Sequence, residues 1–224
     1  MFPDRVVVIN LDSRPDRWQA FTRVVKLSSV LPPVVRFKAL TPRDVVMPTW
    51  YMVQRFMGDQ RYKAHNYWAC RASHLAVMAQ ALQDGVEHLL VFEDDAVIYP
   101  NFDRRYTELL QYMPGDWMGY LLGGHLWNKD NPPVRVNSCC SRLREAGALH
   151  CYGLNRKGLQ RVYDHLSWHQ TMQNDAATSA LYGPEPHFYC PPHWIVSQRD
   201  GPSDNEGRVV AYGTEYKPSA GYNW

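Results

Sequence analysis

The run Arg5-Val6-Val7-Val8-Ile9-Asn10-Leu11 constrains the fold more than any other feature of the chain. Unbroken β-branched residues fit a strand buried on both faces, and such strands lie inside parallel sheets covered by helices on either side. The next residues agree with that setting. Pro15 can open a helix, where its missing N–H costs nothing, with Ser13 as the expected N-cap. Trp18, Phe21, Val24 or Val25, and Leu27 then recur at helical spacing on one stripe. Pro32-Pro33 end this helix, and a second strand is expected over 34–40. After an irregular stretch at 41–66, the pattern predicts a helix over 67–83, a strand over 88–92, a helix over 101–113 and a strand over 117–122. A strand over 146–154, helices over 156–166 and 172–181, and a short strand over 194–198 complete the series. Strands alternating with helices imply βαβ units, hence an α/β fold with a mostly parallel central sheet flanked by helices. No composition break marks a linker, so one domain over 1–224 is expected, with halves at 1–124 and 125–204 and a tail at 205–224.

Composition narrows the function classes. Twenty-four Lys+Arg against 22 Asp+Glu leave a net charge of +2. That is no disordered polyelectrolyte, and it lacks the basic excess of nucleic-acid binders, so no nucleic-acid partner is expected. A few local arginines can still hold a phosphate-bearing small molecule. Five cysteines form no C-x-x-C pair, which argues against a zinc ribbon or a disulfide framework and for a reducing compartment. No signal-peptide profile opens the chain, and apolar runs such as Leu89–Phe92 fall far short of the ~20 residues of a membrane span. The expectation is a cytoplasmic protein without a transmembrane segment, with peripheral membrane contact left open. Eight Trp, 14 Tyr and 7 Phe exceed what an ordinary core needs.

Glu93-Asp94-Asp95, directly after the apolar strand Leu89–Phe92, carries the most chemical information. A buried strand delivers three carboxylates to its carboxyl end, where α/β sheets place ligands. Carboxylates that close repel unless a cation or hydrogen-bond donors compensate, and their hard oxygens suit Mg²⁺ or Mn²⁺ bridged to substrate phosphates. The bland alternative is a solvated acidic turn ahead of the next helix. Geometry weighs against it. The helix before the strand must run antiparallel to it, and 11 helical residues (74–84) at ~1.5 Å span about the same 16 Å as five strand residues at ~3.3 Å. Ser73 and His74 therefore reach the rim of the acidic triplet. A parallel first strand brings Asn10, Leu11, Asp12, Arg14 and Arg17 there too. Taken singly, the arginines read as surface charges and His74 as a packed histidine. Together with three acids, they point to a nucleotide-diphosphate and metal site.

These residues fall into blocks that resemble a known family. Val8-Ile9-Asn10-Leu11-Asp12-Ser13-Arg14-Pro15-Asp16-Arg17-Trp18 is similar to the opening motif of glycosyltransferase family 25, the lipopolysaccharide and collagen galactosyltransferase group. Ala69-Cys70-Arg71-Ala72-Ser73-His74-Leu75 resembles its Ser-His helix, and Leu90–Val97 its acidic strand end. Leu149–Gly158, Asn174-Asp175, and Pro192 through Gln198 to Ser203-Asp204 resemble its later blocks, in the right order.

The resemblance implies a GT-A fold, a UDP-sugar donor carrying galactose or glucose, a divalent cation (Mn²⁺ or Mg²⁺), and a glycan or glycoconjugate acceptor. It assigns Asn10, Leu11, Arg14, Arg17, Ser73, His74, Glu93 and Asp94 to the donor, and Asp95 with Glu93 to the metal. It also offers His193, ahead of His187, as a late metal-binding histidine. Lipopolysaccharide or other glycan synthesis is the implied setting, with an inverting mechanism. Asp175 is the candidate base for the acceptor hydroxyl, though an acid at a helix start is also favoured by the helix dipole alone. Trp50, Tyr51, Tyr62, Tyr67, Trp68 and Trp127, in or beside loops, are candidates to stack on sugars, packing being the plainer role for each.

Two other classes compete with this reading. A nucleotide-sugar-binding protein without turnover differs only in activity. A receiver-type phospho-acceptor domain needs an Asp about 40 residues after the acidic pair, and 133–141 holds none.

Overall fold

The computed structural model describes residues 2–48, 61–126, 128, 130–168, 174–205 and 207–211, with the side chains of 61, 62 and 175 outside that set. The strands are β1 (Arg5–Asn10), β2 (Val34–Lys38), β3 (His88–Glu93), β4 (Ala96–Ile98), β5 (Gly119–Leu121), β6 (Val134–Arg135), β7 (Ser141–Arg142), β8 (Cys151–Asn155), β9 (Phe188–Cys190), β10 (Val196–Gln198), β11 (Gly201–Ser203) and β12 (Arg208–Val210). The helices are α1 (Pro15–Val25), α2 (Arg61–Gln83), α3 (Phe102–Tyr112), α4 (Arg156–Trp168) and α5 (Asn174–Tyr182).

Eight strands form one sheet in the order β2-β1-β3-β8-β5-β9-β7-β6. β1 pairs in parallel with both β2 and β3, and β5 with β9, whereas β8 and β7 run antiparallel to their neighbours. Six strands thus share one direction, as the α/β expectation requires, and two are reversed. β4 and β10 make a small antiparallel pair, as do β11 and β12.

The β-branched run explains the layering. Val7 and Ile9 pack with Met78, Leu89, Val91, Leu159 and Val162 on the face covered by α2, α4 and α5. Val6 and Val8 pack with Phe21, Leu90, Phe92, Tyr106 and Leu109 on the face covered by α1 and α3. Alternate side chains of one strand feed two cores, so Val6 to Ile9 leave no place for a polar group. Much of the aromatic surplus resolves here as core, with Phe21, Phe92, Tyr106, Tyr120, Tyr182 and Phe188 fully buried. The Tyr120 hydroxyl meets His88 Nε2 at 2.7 Å and the Tyr106 hydroxyl at 2.5 Å.

Several local expectations are corrected. Arg14, not Ser13, occupies the N-cap of α1, with no side-chain cap bond and Pro15 at its start. Leu27 falls past the helix end and is 83% exposed. α2 begins at Arg61, six residues early, because Arg61–Asn66 continue the helix without an apolar stripe. The strand expected from Ala146 starts only at Cys151; ahead of it Gly147 makes a lone bridge to His125. Among the described residues no helix is long and apolar enough to cross a membrane.

Asn155 caps α4, its Oδ1 accepting the Gly158 N–H at 2.8 Å, which presses the first turn against β5. A Cβ on Gly158 would lie 1.9 Å from the Met118 carbonyl oxygen, a backbone atom that cannot swing aside. Gly158→Ala is therefore expected to destabilise the fold by about 3 kcal/mol, the upper end of overpacking costs, read as a lowered urea midpoint at unchanged slope. A midpoint equal to that of the parent protein would contradict this packing.

Candidate active site

The acidic triplet sits where β3 leaves the sheet. Ile9 of β1 lies opposite Glu93, so both strands end on one rim. Asn10, buried at that level, donates through Nδ2 to Asp94 Oδ2 at 2.7 Å, while its Oδ1 accepts from Arg36 Nε at 2.7 Å. Arg17, in the first turn of α1, reaches back with Nη1 to Asp94 Oδ1 at 3.0 Å and Asp95 Oδ2 at 3.5 Å. Gln198, from β10, donates to Asp95 Oδ2 at 3.1 Å. Asp95 Oδ1 is buried and meets no hydrogen-bond partner among the described residues.

α2 runs antiparallel over β3 and sets His74 against the triplet, with Nε2 3.1 Å from Glu93 Oε1. Its Nδ1 lies 2.9 Å from the Tyr152 hydroxyl. With Glu93 ionised, the Nε2–H donates to it; when the ring carries no second proton, Nδ1 accepts the phenol proton. Ser73 is buried beside it and works internally, its hydroxyl donating to the Ala69 carbonyl at 2.9 Å and accepting the Leu40 N–H at 2.8 Å.

The three acids differ in electrostatics. Burial raises the Glu93 pKa, but the His74 hydrogen bond, then the charges of His74, His150 and Arg17, carry it below the usual value. Asp94 is raised by burial, against the pull of Arg17 and Asn10. Asp95 is pushed up to about 7, by burial first and by the Glu93 charge second. Among the described residues one guanidinium, that of Arg17, pairs with both aspartates, and Asp95 bears the imbalance.

These groups open onto a cavity of about 390 Å³. Leu11, Arg17, Ser73, His74, Glu93, Asp94 and Asp95, all predicted site residues, line it. Asn10 stands behind the wall. Arg14 lies in an adjoining space of about 140 Å³ that shares Arg17 and Asp95 with the first. Beside it lie the β11–β12 hairpin, whose Ser203, Asp204 and Asn205 line the cavity, and the residues that lead into it. Arg14 pairs with Asp204 at 2.8 Å, Arg17 donates to the Pro202 carbonyl, Asn66 donates to the Asp204 carbonyl at 2.7 Å, and the Arg199 N–H bonds the Asp95 carbonyl at 2.8 Å.

Other predicted residues are placed differently. His193 is not among the residues lining the cavity, and the nearby charges that depress its pKa, beyond burial, are the cations Arg105 and Arg135. Asp175 lies in the first turn of α5, and its side chain is outside the described residues. So are Trp50, Tyr51, Trp127 and the side chain of Tyr62. Tyr67 and Trp68 pack with Met47 around Ala64, and the Trp68 indole donates to the Val46 carbonyl at 3.2 Å. Residue-by-residue reasoning misses Cys70, Tyr152, Gln198 and Asp204 as site residues. Each lies in a block that carries the family resemblance, which is the available signal.

An acidic corner paired with Arg17, with Arg14 in the adjoining space, on the carboxyl rim of an α/β sheet, offers carboxylates to a cation and guanidinium groups to an anion. The sequence model described as "Glycosyltransferase family 25 (LPS biosynthesis protein)" matches residues 4–129, more than half of the chain. The protein is a glycosyltransferase. It belongs to glycosyltransferase family 25. No curated protein matches the chain. Among solved structures it is similar to a glycosyltransferase involved in the glycosylation of the major capsid of PBCV-1, at 8% identity over 83% of this chain and 79% of that one, with a TM-score of 0.43. Mouse xyloside xylosyltransferase 1 in its apo form is similar at 9% identity, over 82% and 83% of the two chains, with a TM-score of 0.43. A197 from STIV is similar at 8% identity, over 92% and 93%, with a TM-score of 0.43. The family assignment rests on the sequence match.

The raised Asp95 pKa sets a pH dependence. The unfolded carboxyl loses its proton near pH 4 and the folded one near pH 7, so in between folding takes up a proton and stability falls as pH rises. In buffer free of divalent cations, Asp95→Asn is expected to remove that fall and to exceed the parent protein above pH 7 by about 2–4 kcal/mol in urea unfolding. A variant no more stable than the parent at pH 8 would refute this charge assignment.

Proposed function

We propose that the protein transfers a hexose, galactose or glucose, from a UDP-sugar to a hydroxyl of a glycan or glycoconjugate, with inversion and with Mn²⁺ or Mg²⁺ as cofactor. The observation that carries the reading is the buried Asp95 Oδ1, without a hydrogen-bond partner among the described residues, in a triplet whose two aspartates pair with Arg17. The donor set fits a hard divalent cation. Asp95 would hold it, Glu93 staying with His74, and donor phosphates would complete its shell. When bound, such an ion supplies charge neutralisation for the departing diphosphate.

The chain's own residues do the rest. Arg17 and Arg14 offer guanidinium groups to the diphosphate, in place of their present contacts with Pro202 and Asp204. Asn10 and Arg36 fix the floor by holding Asp94 and Asp12. Ser73 ties residue 40 to α2 and so shapes the wall opposite the acids. The reading assigns proton removal from the acceptor hydroxyl to Asp175. Glycan synthesis of the lipopolysaccharide kind is the setting that the family description suggests for the acceptor.

Release of UDP from a panel of UDP-sugars, with Mn²⁺ and with a chelator, tests the proposal. Turnover with a UDP-hexose is expected, together with its loss on chelation and a drop of at least 100-fold in kcat/KM for Asp95→Asn. Absence of UDP release with every donor and acceptor tried would overturn it. Arg17→Ala should weaken UDP binding about 10- to 100-fold by calorimetry, because a hydrogen bond to a charged group contributes about 1.5–3 kcal/mol. Unchanged UDP affinity would remove Arg17 from the donor site.

A further inference from the structure

The same cavity holds a second set of metal-binding groups, of softer chemistry than the acidic triplet. Cys70 and His74 stand four residues apart on α2 and therefore on one face, above the end of β3, where Glu93 emerges. Cys70 Sγ, a His74 ring nitrogen and a Glu93 carboxylate oxygen all lie within 4.8 Å of one another. A tetrahedral Zn²⁺ with bonds of about 2.0–2.3 Å separates its ligands by roughly 3.3–3.8 Å, so modest side-chain turns close the set.

We propose that Cys70, His74 and Glu93 form a binding site for one Zn²⁺ ion, separate from Asp95, whose fourth coordination position opens into the cavity. All three residues line that cavity, and three protein ligands with one open position are the arrangement of zinc sites that admit a water or a substrate atom. Thiolate and imidazole select zinc over Mg²⁺ and Mn²⁺, which favour an all-oxygen shell.

The surroundings of His74 support the site. A metal at Nε2 replaces the proton now shared with Glu93 Oε1, 3.1 Å away. The remaining ring proton then sits on Nδ1 and donates to the Tyr152 oxygen at 2.9 Å, so the ring keeps its orientation. Tyr152 is buried and its phenol is held protonated, and it serves as donor before the ion binds and acceptor afterwards. Binding of the ion converts the Cys70 thiol to a thiolate and releases one proton to solvent.

The experiment uses the full chain, reduced and metal-free, titrated with Co²⁺ as a spectroscopic stand-in for Zn²⁺. Expected is a thiolate-to-cobalt charge-transfer band that saturates at one equivalent and is displaced by Zn²⁺. Cys70→Ser should abolish it, whereas Cys139→Ser, at another half-buried thiol, should keep it. Asp95→Asn should also keep it, which separates this site from the donor cation of the proposed function. No band in the parent protein overturns the proposal whatever the variants do, as does a band that survives Cys70→Ser or vanishes in Asp95→Asn. A band without UDP release would leave this site standing while the transferase reading of the donor fails.

Discussion

Because β1 and β3 run side by side in one direction, with Ile9 opposite Glu93, the two strands end together and their last side chains share one small volume. Everything chemical in the molecule depends on that register. A slip of one residue would turn Asn10 away from Asp94 and carry Val7 and Ile9 from the α2 side to the α1 side. The hydrophobic alternation that builds two cores therefore also fixes where the carboxylates meet their donors. Stability and site geometry are specified by the same residues, and neither can drift without the other.

Within that volume the charges are unevenly answered. Glu93 has a histidine and Asp94 has an asparagine and an arginine, while Asp95 shares what is left. Burial strengthens each of these interactions and at the same time makes an unanswered carboxylate costly. The corner is thus poised to take up positive charge, and Arg17 is placed to respond when anionic groups arrive. The Asp204 carboxylate now lies against Arg14, near enough to Arg17 to feel the same competition, at 2.8 and 3.9 Å.

Much of this architecture is legible in the sequence, and the reasons are specific. The Arg5–Leu11 run and the acidic strand end each carry their own structural signature. Matching the length of a helix to that of the strand after it places His74 beside Glu93, a relation the chain satisfies at 3.1 Å. What escapes lacks a local signature. Three-residue strands such as β4, β9, β11 and β12 are too short for a period-two pattern to register. The reversal of β8 is a choice of topology that its apolar residues do not encode. Residue type and order single out His193, but they say nothing of the charges of Arg105 and Arg135 that help to depress its pKa. Gln198 donates to Asp95 only because β10 pairs with β4, a partnership between segments about a hundred residues apart.

The reversed strand has a consequence for how the site is built. In a sheet whose strands all point one way, the carboxyl rim receives only segments that leave strands. β8 instead enters the sheet there, so the residues that precede it, Leu149 and His150, come to the rim from the other direction, and the Glu93 N–H bonds the His150 carbonyl at 2.9 Å. The rim is a two-way junction. The chain between β7 and β8 lines no part of the cavity, yet through the His150 carbonyl it holds the first residue of the acidic triplet. The Asp84-Gly85 turn between α2 and β3, by contrast, lies at the opposite rim.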